Sequence, residues 1–167
     1  MKRFLLLFLA TVVTAWSASA QLSVSQLRTE HLTDPVGIGE RRPLLSWEVS
    51  DASRRGVTQS AYEIRVKSGG RTVWRTGKVA SAESAGVFYD GTPLTSDTRY
   101  TWQVRVWDDR GKASAWSRPA FWRTGLFDVG EWQARWIEPA VSDDLAAMFR
   151  RTFRVTKPVA EATVYVT

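Results

Sequence analysis

Between Ser60 and Lys67 the apolar residues Tyr62, Ile64 and Val66 alternate with the charged Glu63, Arg65 and Lys67. A period of two puts successive side chains on opposite faces of an extended strand, so this segment predicts a strand with one face buried and the other wet. A longer copy of the pattern runs from Arg99 to Asp108, where Tyr100, Trp102, Val104 and Val106 alternate with Thr101, Gln103, Arg105 and Trp107. No sustained helical periodicity interrupts the hundred residues around them, which makes the chain all-β. The 167 residues contain no Cys. That removes disulfide staples, thiolate metal sites and lipid attachment through a thiol, and leaves packing to hold the fold.

Further strands are expected on the same grounds. Leu22 to Arg28 alternates weakly, with Leu22, Val24 and Gln26 on one face and Ser23, Ser25 and Leu27 on the other, as an edge strand would. A loop with Asp34-Pro35 and Gly37-Ile38-Gly39 follows, and then Pro43 to Val49, where Leu45, Trp47 and Val49 share a face and Trp47 is a core candidate. Gly69-Gly70 turns the chain into a short strand, Arg71 to Arg75, and another is expected over Gly86 to Tyr89 before Asp90-Gly91. Asp108-Asp109-Arg110-Gly111 reads as a turn, and a last strand falls between Trp116 and Thr124, with Pro119 marking an edge or kink in its early part. Seven short strands in about a hundred residues describe an immunoglobulin-like sandwich.

Leu94-Thr95-Ser96-Asp97-Thr98-Arg99-Tyr100 is the most specific local signal. A Tyr opening the penultimate strand, with its hydroxyl bonded to the upstream backbone and a Leu six residues earlier, is a tyrosine corner. The segment resembles the Leu-x-Pro-x-Thr-x-Tyr motif of fibronectin type III domains, with Ser96 in the place of Pro.

The two ends read differently. Met1-Lys2-Arg3, an apolar run from Phe4 to Val13 and the small residues Ala18-Ser19-Ala20 have the order of a secretory signal peptide, with cleavage expected after Ala20. The apolar run is shorter than the roughly 20 residues a membrane-crossing helix needs, so residues 1–20 are read as a removable leader, giving a secreted or periplasmic protein with no membrane attachment after cleavage. The sandwich is assigned to residues 21–126 and a Trp-rich linker to 127–144. Residues 145–167 carry two strand candidates, Ala147 to Val155 and Ala160 to Thr167, read as the truncated start of a second β-sandwich. Two strands make no independently stable sheet, so the chain is expected to be a fragment.

Chemistry-bearing groups are sparse. The single His, His31, sits in the first loop and excludes a multi-His metal site. No Gly-x-Ser-x-Gly elbow or Gly-rich phosphate loop occurs. Asp143-Asp144, or Glu138 with Asp143, could be imagined as glycosidase carboxylates, but both pairs read as linker solvation. Asp108-Asp109 reads as a hairpin turn before a cation site. No catalytic residue, metal or cofactor is expected. The formal charge of +6 falls by two when Lys2 and Arg3 leave, and Arg41-Arg42, Arg54-Arg55 and Arg150-Arg151 lie far apart, so no nucleic-acid footprint is expected. Nine Trp are present, one of them in the leader. Trp47 and Trp102 belong to buried faces. Trp107 and Trp116 fall near Arg105 and Arg65, where rings and cations can interleave, an arrangement that resembles the Trp-Ser ladder of cytokine-receptor fibronectin domains with Trp116-Ser117 as its remnant. Trp74, Trp107 and Trp116 are the candidates for stacking on sugar.

At the level of whole segments the chain resembles the N-terminal region of bacterial α-L-rhamnosidases of glycoside hydrolase family 78. The segments are Arg42 to Trp47, Gln59 to Val66, Trp74 to Val79 and Thr98 to Asp108, continued by Trp132 to Ile137, Phe149 to Phe153 and Ala162 to Thr167. The resemblance covers about residues 24 to 167. It implies a non-catalytic accessory segment whose partner is a downstream catalytic domain of the same polypeptide, an (α/α)6 barrel that removes terminal α-L-rhamnose from rhamnosylated glycosides by inverting hydrolysis. A stand-alone carbohydrate-binding module and a structural fibronectin-type spacer are the alternatives.

Overall fold

A computed structural model describes residues 22–139 and 148–166; the leader, Asp143-Asp144 and the first residue of the 147–155 strand candidate lie outside them. By contacts the chain divides into two units, the first running to Trp132 and the second from Gln133. The first unit holds eight strands: β1 (Ser23–Thr29), β2 (Val36–Ile38), β3 (Leu44–Ser50), β4 (Gln59–Ser68), β5 (Arg71–Arg75), β6 (Val87–Phe88), β7 (Arg99–Asp108) and β8 (Ala120–Thr124), then a 3-10 turn at Val129–Glu131. They form a three-stranded sheet in the order β1-β3-β6 and a five-stranded sheet in the order β2-β8-β7-β4-β5. The all-β sandwich expected from the alternation is therefore present.

The long strands behave as their sequences dictate. Tyr100, Trp102, Val104 and Val106 of β7 point inward, as do Tyr62, Ile64 and Val66 of β4, and Leu45 and Trp47 of β3 face them from the smaller sheet. Trp122 of β8, which the sequence did not single out, is wholly buried and stacks on Tyr100 with centroids 5.3 Å apart. Tyr89 meets Trp122 edge-on at 5.9 Å and Trp74 at 5.1 Å. Each such aromatic pair adds about 0.5–1.5 kcal/mol beyond the area it buries, so this cluster ties β5, β6, β7 and β8 together at one end of the core. The tyrosine corner is formed: the Thr95 N–H donates to the Tyr100 hydroxyl at 2.9 Å, and Leu94 is buried beneath the turn.

Four expectations change. The inward residues here are Leu22, just before β1, and then Leu27 and Thr29 within it, with Gln26 exposed. Gln26 has φ +50° and the pairing with β3 shifts between Ser25 and Arg28, so a bulge exchanges the two faces halfway along the strand. The loop at Gly37-Ile38-Gly39 includes β2, which pairs parallel to β8. Its three residues are too few to show any period. The outer face of β4 is not uniformly wet, since Glu63 is buried, for reasons given below.

Finally, described residues 148–166 of the second unit form no strand, although Ala147 to Val155 and Ala160 to Thr167 alternate as strands do. Alternation supplies the two faces of a strand but not the neighbouring chain whose N–H and C=O groups complete a ladder. Phe153, Val164 and Val166 there are largely exposed.

Candidate functional site

The sugar-stacking candidates occupy different surroundings. Trp74 lies opposite Val66 in the β4–β5 pair, so its ring faces inward, half-buried against Tyr89. Trp107 ends the outward row of β7. Trp116 reaches the same face by another route, because the chain from Ala113 to Pro119 runs beside β7 without forming a regular strand. The Ser114 hydroxyl accepts the Val106 N–H at 3.0 Å and the Ser117 hydroxyl accepts the Val104 N–H at 3.1 Å. The N–H groups of the same two serines donate to the Val106 and Val104 carbonyls at 2.8 Å. Serine hydroxyls thus replace carbonyls in the ladder, and Trp116 between them is laid over the sheet.

The result is an interleaved stack. Lys78 lies 4.7 Å from the Trp107 ring centroid and Arg105 lies 5.0 Å from it. Arg105 is also 4.9 Å from Trp116, over which Arg65 sits at 4.1 Å. Farther along the face Arg99 lies 3.7 Å over Phe121. Each cation–ring contact contributes about 0.5–1 kcal/mol where it is partly exposed. The guanidiniums are positioned from beneath. Arg65 donates twice to Gln103 Oε1, at 2.8 and 3.1 Å, and Gln103 Nε2 donates to the Ser117 carbonyl at 2.6 Å. Arg105 grips Glu63 at 2.6 Å, and Arg75 approaches the same carboxylate at 3.7 Å. These long side chains cover Glu63, which explains its burial.

The interleaving expected of Arg65 and Arg105 with Trp107 and Trp116 is present, and it extends to further cations that the sequence did not group with them. Arg65, Lys67, Arg75, Lys78, Arg99 and Arg105 come from different segments but share the outward face of the five-stranded sheet, where Glu63 is the carboxylate among them. Arg123 and Asp97 pair at its corner at 2.7 Å. The cationic pairs noted in sequence have other places. Arg41 and Arg42 bind Asp128 and Asp90, and Arg54 is clamped by Asp108 and Asp109.

A second constellation holds the end of the sandwich where the chain leaves β8. Gly125 donates to the Ile38 carbonyl at 2.8 Å and its own carbonyl accepts from Asp97 at 3.0 Å. A Cβ on Gly125 would sit 3.3 Å from the Gly37 oxygen, so the close approach of these segments favours glycine. Glu131 Oε2 accepts from the Ser96 hydroxyl at 2.6 Å and from the Phe127 and Asp128 N–H groups at 3.0 Å. Arg41 binds Asp128 at 2.9 Å and lies 4.7 Å over the Phe127 ring. The Ser96 hydroxyl, then the backbone N–H donors, hold the Glu131 carboxyl below its ordinary value of 4.5. Ser96, where the tyrosine-corner motif has Pro, thereby bonds the corner to residues 127–131.

The remaining chemical candidates are separate. His31 is exposed in a turn with φ +63°, its carbonyl accepting from Arg28. Asp108 accepts the Arg110 and Lys112 N–H groups at 2.9 and 2.7 Å, so its side chain closes the hairpin turn. Glu138 is exposed. Among the described residues no three His, Cys, Asp or Glu side chains gather closely enough to hold a metal ion.

A family model described as "Rha78A-like, N-terminal immunoglobulin domain" matches residues 24–128. A solved structure of Streptomyces avermitilis α-L-rhamnosidase complexed with L-rhamnose superposes with a TM-score of 0.68 at 44% identity, over 71% of this chain and 12% of that one. The α-L-rhamnosidase of Dictyoglumus thermophilum superposes with a TM-score of 0.65 at 33% identity, over 70% of this chain and 14% of that one. An α-L-rhamnosidase of Formosa agariphila is 33% identical over 165 residues, 80% of this chain and 17% of the relative. The chain thus spans between 12% and 17% of the length of these proteins.

Proposed function

Because the chain belongs to the Rha78A-like N-terminal immunoglobulin-domain family, we propose that it is the non-catalytic accessory segment of an exported α-L-rhamnosidase, in which a downstream domain hydrolyses terminal α-L-rhamnose from glycosides. The observation that carries this reading is the match itself, which falls on the N-terminal immunoglobulin domain and covers only 12% to 17% of the matched proteins. The bonding of residues 125–131 to the sandwich supports a bracing role, since it holds that segment against the tyrosine corner and Arg41. A bracing role is also favoured over stacking of neutral sugar on Trp74, Trp107 or Trp116: the first is turned to Tyr89, and the other two each lie under two cations.

The test is hydrolysis of a chromogenic α-L-rhamnoside by this chain. No turnover is expected, and measurable turnover would overturn the non-catalytic reading. Export is tested by amino-terminal sequencing of protein recovered from the periplasm or medium. Gln21 is expected as the first residue, and retention of Met1 would count against the leader.

A further inference from the structure

We propose that the outward face of the five-stranded sheet docks an anionic polysaccharide, one bearing carboxylate or sulfate groups. The proposal deepens the accessory reading and rests on it for the choice of a glycan. The argument begins with charge. Arg65, Lys67, Arg75, Lys78, Arg99 and Arg105 face one way, and Glu63, the carboxylate among them, is covered by Arg105 and Arg75. Arg65, Lys78 and Arg99 rest on a ring or an amide, which orients them without neutralising them. A surplus of one sign on a surface attracts the opposite sign and concentrates it there.

Shape selects among polyanions. The row from Arg99 to Trp107 extends roughly 26 Å along β7 at about 3.3 Å per residue, and suits a linear chain of regularly spaced anions. Single-stranded nucleic acid needs bare rings for its bases to stack on, and here Trp107 and Trp116 are already occupied by cations.

Affinity electrophoresis of the chain through gels containing polygalacturonate, dextran sulfate or neutral dextran tests the proposal. Retardation is expected on both anionic gels at about 0.01 M salt, with loss at about 0.3 M and none on dextran. The combined Lys67→Gln, Arg75→Gln and Lys78→Gln variant should bind about tenfold more weakly. Arg28→Gln, Arg55→Gln and Arg110→Gln together remove the same charge from exposed positions elsewhere and should stay within about twofold of the parent. Unchanged thermal melts establish that both variants fold. Equal weakening in the two variants would reduce the effect to net charge and overturn the proposal. So would retardation by neutral dextran, or tighter binding of a DNA oligonucleotide than of polygalacturonate at the same salt. Such a failure leaves the accessory reading standing, because hydrolysis and processing decide that one.

Discussion

Replacing Gln59 by Leu should destabilise the sandwich by about 3 kcal/mol. Gln59 opens β4 inside the core, where its Oε1 accepts the Trp47 indole N–H at 3.0 Å and its Nε2 donates to the Ser81 and Glu83 carbonyls at 3.1 and 2.6 Å. Leu keeps the volume, so no cavity enters the estimate. The indole N–H is left buried without an acceptor, which costs about 2 kcal/mol, while the two carbonyls lie in a loop that water reaches and together cost about 1 kcal/mol. Urea unfolding followed by Trp fluorescence should show the midpoint falling by about 2 M at a slope near 1.5 kcal/mol per M. The cycle with Trp47→Phe isolates the indole bond. Phe has no N–H to strand, so Gln59→Leu should cost about 1–2 kcal/mol less in that background. A single-mutant cost below about 0.5 kcal/mol, or no coupling in the cycle, would refute the reasoning.

Tyr100→Phe strands the Thr95 N–H at the corner and should cost about 1–2 kcal/mol, a melting temperature roughly 5–10 °C lower by calorimetry. Gly91→Ala places a Cβ 2.5 Å from the Tyr89 hydroxyl and 2.6 Å from the Trp74 Cβ, and should cost about 2 kcal/mol in the same urea assay. Glu131 is held below its ordinary value of 4.5, so its contribution is present above that pH and is lost as pH falls through the lowered value. Melting temperatures measured from pH 7 to pH 3 should therefore converge for the parent and Glu131→Gln at the acid end, with the parent higher at neutral pH.

Legibility in the sequence followed the distance between the residues involved. The faces of β7, the inward set of β4, Trp47 and the tyrosine corner are local patterns, and each was readable because a period of two or a fixed spacing encodes it. The bulge at Gln26 was not, since its φ of +50° leaves no mark in composition. Burial of Glu63 and the gathering of cations depend on register, which pairs Glu63 with Arg105 across strands far apart in sequence and Arg65 with Arg75 across the β4–β5 hairpin. Alternation assigns each residue a face without naming its cross-strand neighbours. Ser96 could have been found: a hydroxyl where the motif has Pro is a donor in search of an acceptor, and Glu131 supplies it.

The pairing of β2 with β8 joins an early strand of the sandwich to its last, and it is parallel. Arg123 bonds to the Pro35 carbonyl and Gly125 to the Ile38 carbonyl, spanning the step from β8 into residues 127–131. A pull on the chain before β2 against the chain after β8 would load these bonds side by side, in shear, so that they resist together. An antiparallel hairpin pulled at its open end would peel one bond at a time. The two segments are thus held against sliding by bonds that must break together.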